Sequence, residues 1–312
     1  MVILLQEVIY IMEGFYPIYM YTPMPEMHNV MVPVTSGCSY QKCLYCDLNF
    51  RQKFHIFKLD EIEDYLRNEK IKYDKMKRSP KKFTLLEGNP LCVKASFLED
   101  VFALIHKYFE AQYISMFARA SDVLRKTDEE LLRLKAMGMD RLCLGLESGS
   151  DEVLNFHKKG HSVNDSLRAC KKLERLGISY SVYIMLGLGG KEMTMAHRIE
   201  TAKLLNEIKP FEIVFVTTVI FKRAPLKDIV RAKEFTRLSI KEVLDEEIYI
   251  LENLEINTVI KATHKTNPLP LLAKFPEGKV DLIRKLKEYR DNNNEKELRR
   301  REMKKWQVWS KE

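Results

Sequence analysis

Thr35-Ser36-Gly37-Cys38-Ser39-Tyr40-Gln41-Lys42-Cys43-Leu44-Tyr45-Cys46-Asp47 carries three of the chain's six cysteines within nine residues, directly after a mostly apolar run over 29–34. Thiolates gathered this closely serve as ligands to iron-sulfur clusters or to zinc. A structural zinc site normally takes four protein ligands, and no fourth Cys or His adjoins these three. The set is incomplete for zinc unless a more distant residue such as His55 joins it. It suits a cluster that keeps one iron open.

The run over 29–34 has the composition of a strand buried on both faces, and Pro33 marks its approaching end. The cysteine loop therefore leaves from the C-terminal side of that strand. Outward from it, Leu59, Ile62, Tyr65 and Leu66 predict a helix over 59–68, followed by a strand over 83–86. A helix over 97–109 gathers Leu98, Val101, Phe102, Ile105, Tyr108 and Phe109 on one face, with Ser96 as its expected N-cap. After a strand over 113–117, Thr127 and Glu130 form a capping box for a helix that ends at Met137-Gly138. Strands follow over 141–146, 179–186 and 213–219, alternating with helices over 163–176 and 193–208. Strands alternating with helices predict a parallel sheet with right-handed crossovers, and six such units make a partial (β/α)6 barrel of the α/β class. In such barrels the working residues sit at the C-terminal ends of the strands.

The expected division is an N-terminal arm over 1–28, the partial barrel over 29–225, a C-terminal extension covering the barrel over 226–290, and a basic tail over 291–312. Within the extension, 226–257 reads as helical and charged, 258–262 as a last strand, 264–271 as a proline-broken loop and 278–289 as a final helix. The 312 residues are 46% hydrophobic, enough for a sizeable core. Cysteines so unevenly spaced do not read as a disulfide framework, so a reducing cytoplasmic location is expected. No stretch is long and apolar enough to span a membrane, and no signal peptide is expected. The net charge of +8 invites an anionic partner. Much of the excess lies in the last segment, where 284–312 hold eleven Lys or Arg against six Asp or Glu.

The cysteine stretch resembles the radical S-adenosylmethionine (SAM) superfamily, in the subset whose first two cysteines are four residues apart. Gly37 and Tyr45 also fit that subset. The resemblance continues through Glu87-Gly88-Asn89-Pro90, Gly145-Leu146-Glu147-Ser148-Gly149-Ser150 and Val182-Tyr183-Ile184-Met185-Leu186-Gly187, and covers most of 30–272. Within the superfamily the chain resembles the radical SAM domain of the Elongator catalytic subunit, and no additional catalytic domain is expected. The resemblance implies that Cys38, Cys43 and Cys46 hold a [4Fe-4S] cluster whose open iron is chelated by SAM. Reductive cleavage of SAM then yields a 5'-deoxyadenosyl radical for hydrogen abstraction, with electrons from a donor such as flavodoxin or ferredoxin. The substrate and the catalytic residues that act on it stay unassigned.

The same resemblance places SAM contacts at the strand ends. Gly88 and Asn89 lie in the turn that meets the SAM amino group, although the superfamily's usual Gly-Gly-Glu-Pro is altered here. Glu147 and Ser148 are placed for a ribose hydroxyl or an amino-acid head group, and Ser148 or Ser150 equally for an N-cap. Arg119 offers a bidentate fork to the SAM carboxylate, or pairs with Asp122 or Glu147. Tyr45 and Gly187 are expected near the adenine, while a tyrosine in such a loop also serves as simple packing.

Other candidates carry less. His264 and Asn267 follow the last expected strand and read as structural before functional. His157 and His161 are four apart, but Gly160 between them opposes a shared helical face for a metal. Cys92, Cys143 and Cys170 are scattered and read as free thiols. A competing class is a non-catalytic iron-sulfur or zinc protein that binds nucleic acid through its basic tail. The mixed charges around Arg299-Arg300-Arg301 and the anchors Trp306 and Trp309 favour a docked or fraying helix instead.

Overall fold

The computed structural model describes residues 26, 28–47 and 53–299. Among them an eight-stranded sheet organises the chain. Its strands are β1 (Val30–Pro33), β4 (Lys82–Leu86), β5 (Tyr113–Ala118), β6 (Met139–Glu147), β7 (Ser179–Leu186), β8 (Glu212–Thr217), β9 (Thr258–Lys261) and β10 (Leu272–Phe275). They lie in sequence order, and every neighbouring pair is parallel except the antiparallel β9 and β10. Sequential parallel order with right-handed crossovers keeps the helices on one face and leaves the other to line the interior of a partial barrel.

The helices are α1 (Leu59–Lys75), α2 (Ala95–Tyr108), α3 (Ala120–Arg125), α4 (Asp128–Ala136), α5 (Asp151–Phe156), α6 (Val163–Arg175), α7 (Gly190–Glu207), α8 (Leu226–Arg231), α9 (Ile240–Glu252) and α10 (Lys279–Asp291). Apolar spacing decided most of them. On α2 the residues Leu98, Val101, Phe102 and Ile105 recur at helical intervals and are fully buried. Burial of one such side chain contributes about 1.5–3 kcal/mol before entropy is counted. Alternation on β7 separates Val182 and Ile184, packed into the helix-facing core, from Ser181 and Tyr183 on the opposite face. There Ser181 Oγ donates to Glu212 Oε1 at 2.8 Å, and Lys261 Nζ lies 2.5 Å from Glu212 Oε2. This ion pair ties β8 to β9 inside the barrel.

The α/β partial barrel is as expected, with differences that have local causes. The capping box of Thr127 with Glu130 starts α4, and matching boxes at Ser162 with Asp165 and Ser239 with Glu242 start α6 and α9. Ser96 is not the N-cap of α2: the cap position is Lys94, and the helix begins one residue earlier than Ser96, at Ala95. The helix over 59–68 runs on to Lys75, because the i,i+4 pair of Lys70 with Asp74 and the i,i+3 pair of Lys72 with Glu69 support an otherwise exposed end. The helical reading of 226–257 resolves into α8 and α9. Four short elements were not expected, α3 among them. Thr35–Ser36 (β2) pairs antiparallel with His55–Ile56 (β3), and β10 follows the proline-broken loop. Residues 295–299 are helical; Leu298 is buried, and the Glu295 carboxylate accepts the Ile240 and Lys241 amides at 3.1 and 3.2 Å. The sequence readings for 1–25 and for Trp306 and Trp309 lie outside the described residues.

Candidate functional site

Every motif singled out in the sequence emerges at the C-terminal edge of the sheet. The cysteine loop follows β1 and β2, Glu87-Gly88-Asn89 follows β4, Arg119 follows β5, Glu147-Ser148 ends β6 and Gly187 ends β7. Parallel strands bring these ends together although they are far apart in sequence.

The loop carrying Cys38, Cys43 and Cys46 is held from several sides. The Glu87 carboxylate accepts the Gly37 amide at 2.7 Å, and the Gly88 amide donates to the Gly37 carbonyl at 3.3 Å. Asn89 Nδ2 donates to Ser39 Oγ at 3.1 Å and to Asp122 Oδ2 at 2.5 Å. Further along, the Leu44 amide donates to the His157 carbonyl at 3.1 Å, and the Leu44 carbonyl accepts the Leu226 amide at 2.9 Å. The turn after β4 thus grips the first half of the loop and the segment after α5 grips the second.

All three cysteines are partly exposed. Burial raises the Cys43 thiol above its usual range, while Lys159 pulls in the opposite direction. The Tyr45 side chain is buried under the loop, its ring centre 5.6 Å from that of His157 in an edge-to-face contact and its hydroxyl accepting from Lys159 Nζ at 3.2 Å. Burial, reinforced by Glu147, pushes its hydroxyl pKa well up. Tyr45 is therefore built into the packing with Leu44, Val153, Leu188, Met193 and Phe235.

Arg119 pairs with neither Asp122 nor Glu147. Its guanidinium lies 3.7 Å from the centre of the Tyr40 ring, Nη2 donates to the Lys159 carbonyl at 2.7 Å, and Nε has no hydrogen-bond partner among the described residues. Asp122 pairs instead with Arg125 and Asn89. Glu147, at φ 67°, receives Lys159 Nζ at 2.7 Å. Ser148 turns inward, with Oγ 2.7 Å from His197 Nδ1 and accepting the Ser150 amide at 3.0 Å. Ser150 occupies the N-cap position of α5 without a side-chain cap bond, so neither serine caps in the expected way. Gly187 adopts φ 75°, a left-handed conformation that favours glycine, and its amide donates to Glu246 Oε1 at 2.5 Å.

The remaining candidates are structural. Asn267 is fully buried; it accepts from the Thr217 amide at 2.8 Å and donates to the Phe215 carbonyl at 2.7 Å, locking the end of β8. His264 Nδ1 is 2.6 Å from Thr266 Oγ1, and burial lowers its pKa to about 4. His157 Nε2 meets the Leu188 carbonyl at 2.7 Å, and burial lowers its pKa to about 4. Glu87, Lys159, His197 and Glu246 escaped the sequence reading. Only Glu87 carried a signal there, as an acidic residue displaced within an altered turn motif.

Three thiols on one anchored loop form a donor set that fits an iron-sulfur cluster. A four-iron cluster distributes three such thiolates over separate irons and leaves the fourth iron open.

Against known families, a model described as the radical SAM superfamily matches residues 32–205, more than half of the chain. The chain belongs to the radical SAM superfamily. An uncharacterized protein of Methanocaldococcus jannaschii is 22% identical over 278 residues, 84% of each chain. The tRNA uridine(34) acetyltransferase of that archaeon is 24% identical over 119 residues, which are 38% of this chain and 22% of that protein. Among solved structures, the Elp3 of Methanocaldococcus infernus with an N-terminal deletion superposes with a TM-score of 0.54 at 16% identity, over 83% of this chain and 62% of that one. Methylornithine synthase (PylB) gives 0.50 at 15% identity, over 83% and 80%. These structural likenesses speak for the fold. Membership makes this chain a radical SAM enzyme, of a superfamily that generally uses a [4Fe-4S] cluster and SAM. No described helix is long and apolar enough to cross a membrane.

Proposed function

We propose that Cys38, Cys43 and Cys46 hold one [4Fe-4S] cluster and that SAM binds beside it at the C-terminal edge of the sheet. The observation that carries this reading is the anchored three-cysteine loop, set among the ends of β4 to β7 in a radical SAM fold. When bound, the cluster would supply one electron to SAM, whose cleavage to methionine would provide a 5'-deoxyadenosyl radical for hydrogen abstraction. This chain's residues orient and enclose. Gly88 and Asn89 present the turn assigned to the SAM amino group, Arg119 supplies a cation for its carboxylate, Glu147 and Ser148 flank the ribose or head group, and Tyr45 and Gly187 border the adenine. Electrons come from a small donor such as flavodoxin or ferredoxin, in the cytoplasm, and the barrel over 29–225 is the catalytic unit with 226–290 as its cover.

Anaerobic reconstitution with iron and sulfide, followed by reductant and SAM, tests the reading. About four irons per chain and formation of 5'-deoxyadenosine are expected, with both lost in Cys43→Ala. One tightly bound zinc without sulfide would sink it and favour the non-catalytic alternative.

A further inference from the structure

Around Cys43 lies a chain of hydrogen bonds that none of the superfamily motifs describes. Lys159 Nζ donates to Glu147 Oε1 at 2.7 Å and to the Tyr45 hydroxyl at 3.2 Å, and the Tyr45 hydroxyl stands within hydrogen-bonding reach of the Cys43 side chain. The Lys159 and Glu147 side chains are only 7% and 12% exposed, so water screens the charges weakly. Burial opposes the Lys159 ammonium, and the Glu147 carboxylate 2.7 Å away favours it.

The backbone keeps the ammonium in place. Arg119 Nη2 holds the Lys159 carbonyl, and His157 holds the Leu44 amide. Gly160 adopts φ 76° and lies so close to Tyr40 that a side-chain carbon there would stand 2.0 Å from the Tyr40 hydroxyl. The segment 157–161 is therefore seated directly on the cysteine loop, with Lys159 aimed beneath it.

We propose that Tyr45, Lys159 and Glu147 form a relay that sets the reduction potential of the cluster through Cys43, with Lys159 as its positioning residue. The proposal rests on the [4Fe-4S] reading above. Hydrogen bonds to sulfur and net local charge are levers on cluster potential. Reduction adds a negative charge. The Lys159 ammonium and the Tyr45 hydroxyl bond favour the reduced cluster, whereas the Glu147 carboxylate opposes it.

The signs make the relay testable. Full-length reconstituted protein is titrated potentiometrically without SAM, and the paramagnetic signal of the reduced cluster is followed in wild type, Lys159→Met, Lys159→Arg, Glu147→Gln and Tyr45→Phe. In Lys159→Met the ratio of reduced to oxidised cluster at the wild-type midpoint should fall about tenfold, a downward shift of about 59 mV for one electron. Tyr45→Phe should move the same way and Glu147→Gln the opposite way, while Lys159→Arg stays near wild type. Unchanged midpoints, or shifts of one sign in both Lys159→Met and Glu147→Gln, would overturn the relay, because a merely loosened loop gives no opposed signs. If Lys159→Met loads no cluster, the upward shift of Glu147→Gln and the downward shift of Tyr45→Phe decide alone. A wild type that binds no iron and sulfide removes the cluster reading itself, an outcome separate from these.

Discussion

Arg119 shows how one side chain joins two tasks at the mouth of the barrel. Its stacking on Tyr40 and its bond to the Lys159 carbonyl brace the cysteine loop, while its buried Nε finds no partner among the described residues. A charge-assisted hydrogen bond to a ligand is worth roughly 1.5–3 kcal/mol, so Arg119→Ala should weaken SAM binding about 10–100-fold in cluster-loaded protein. Iron content should change far less, since Arg119 ligates no metal. Unaltered SAM affinity by calorimetry would remove Arg119 from the site. At this scale, what could be read beforehand was chemistry that a residue type announces: clustered thiols, a glycine turn, an arginine at a strand end. What could not be read was partnership. Nothing in the spacing of His157-Lys158-Lys159-Gly160-His161 tells that Lys159 reaches the Tyr45 hydroxyl, because that contact joins residues 114 positions apart.

Among the elements, α9 carries the clearest energetic liability. Glu247 is fully buried, and its two carboxyl oxygens have no hydrogen-bond partner among the described residues. Burial raises its pKa from 4.5 to about 8. Between those values the folded chain holds a proton that the unfolded chain releases, so this group makes stability fall as pH rises through that window, by up to about 1.4 kcal/mol per pH unit. Its contribution is fully present below the ordinary carboxylate range and gone above about pH 8. Glu247→Gln imitates the protonated form, so the stability of the wild type relative to this variant should fall steadily as pH rises from about 5 to 8; parallel pH profiles for the two would refute this. The clip at the end of β8 gives a second prediction. Asn267→Ala leaves the buried Thr217 amide without its acceptor and should cost roughly 1–3 kcal/mol, seen as a lower urea midpoint with an unchanged slope. Strands and helices with strong period were legible in advance, as β7 and α6 show. β10 was not, because a four-residue strand of mixed polarity is specified by its pairing with β9 and has no periodic signal of its own.

For the whole molecule, the acidic and basic residues near the C-terminus play unlike roles. Glu295 completes the exposed amides at the N-terminal end of α9, and Leu298 is 2% exposed, so the chain just beyond Asp291 belongs to the packed body. Removal of residues 300–312 should leave cluster loading and SAM cleavage intact, whereas truncation before Asp291 should lower the melting temperature by several degrees. RNA binding that collapses with added salt and vanishes in the shorter truncation would instead make the tail an electrostatic contact. The sequence order of the strands was readable from their alternation with helices. The reach of Glu295 back to α9 was not, since it joins segments that share no motif.

The grips that Glu87, Asn89 and His157 exert on the cysteine loop bear on how the protein is loaded. Ordering one residue's backbone costs about 1–2 kcal/mol in conformational entropy, and in small zinc domains much of that cost falls on metal capture, so they are unfolded without it. Here the amides of Gly37 and Leu44 are already engaged by protein groups, none of them a proposed ligand. The apoprotein should thus present a mould rather than a slack tether. Amide hydrogen exchange at Gly37 and Leu44 should be slow before any iron is added, and arrival of the inorganic core would fill a shape instead of creating one.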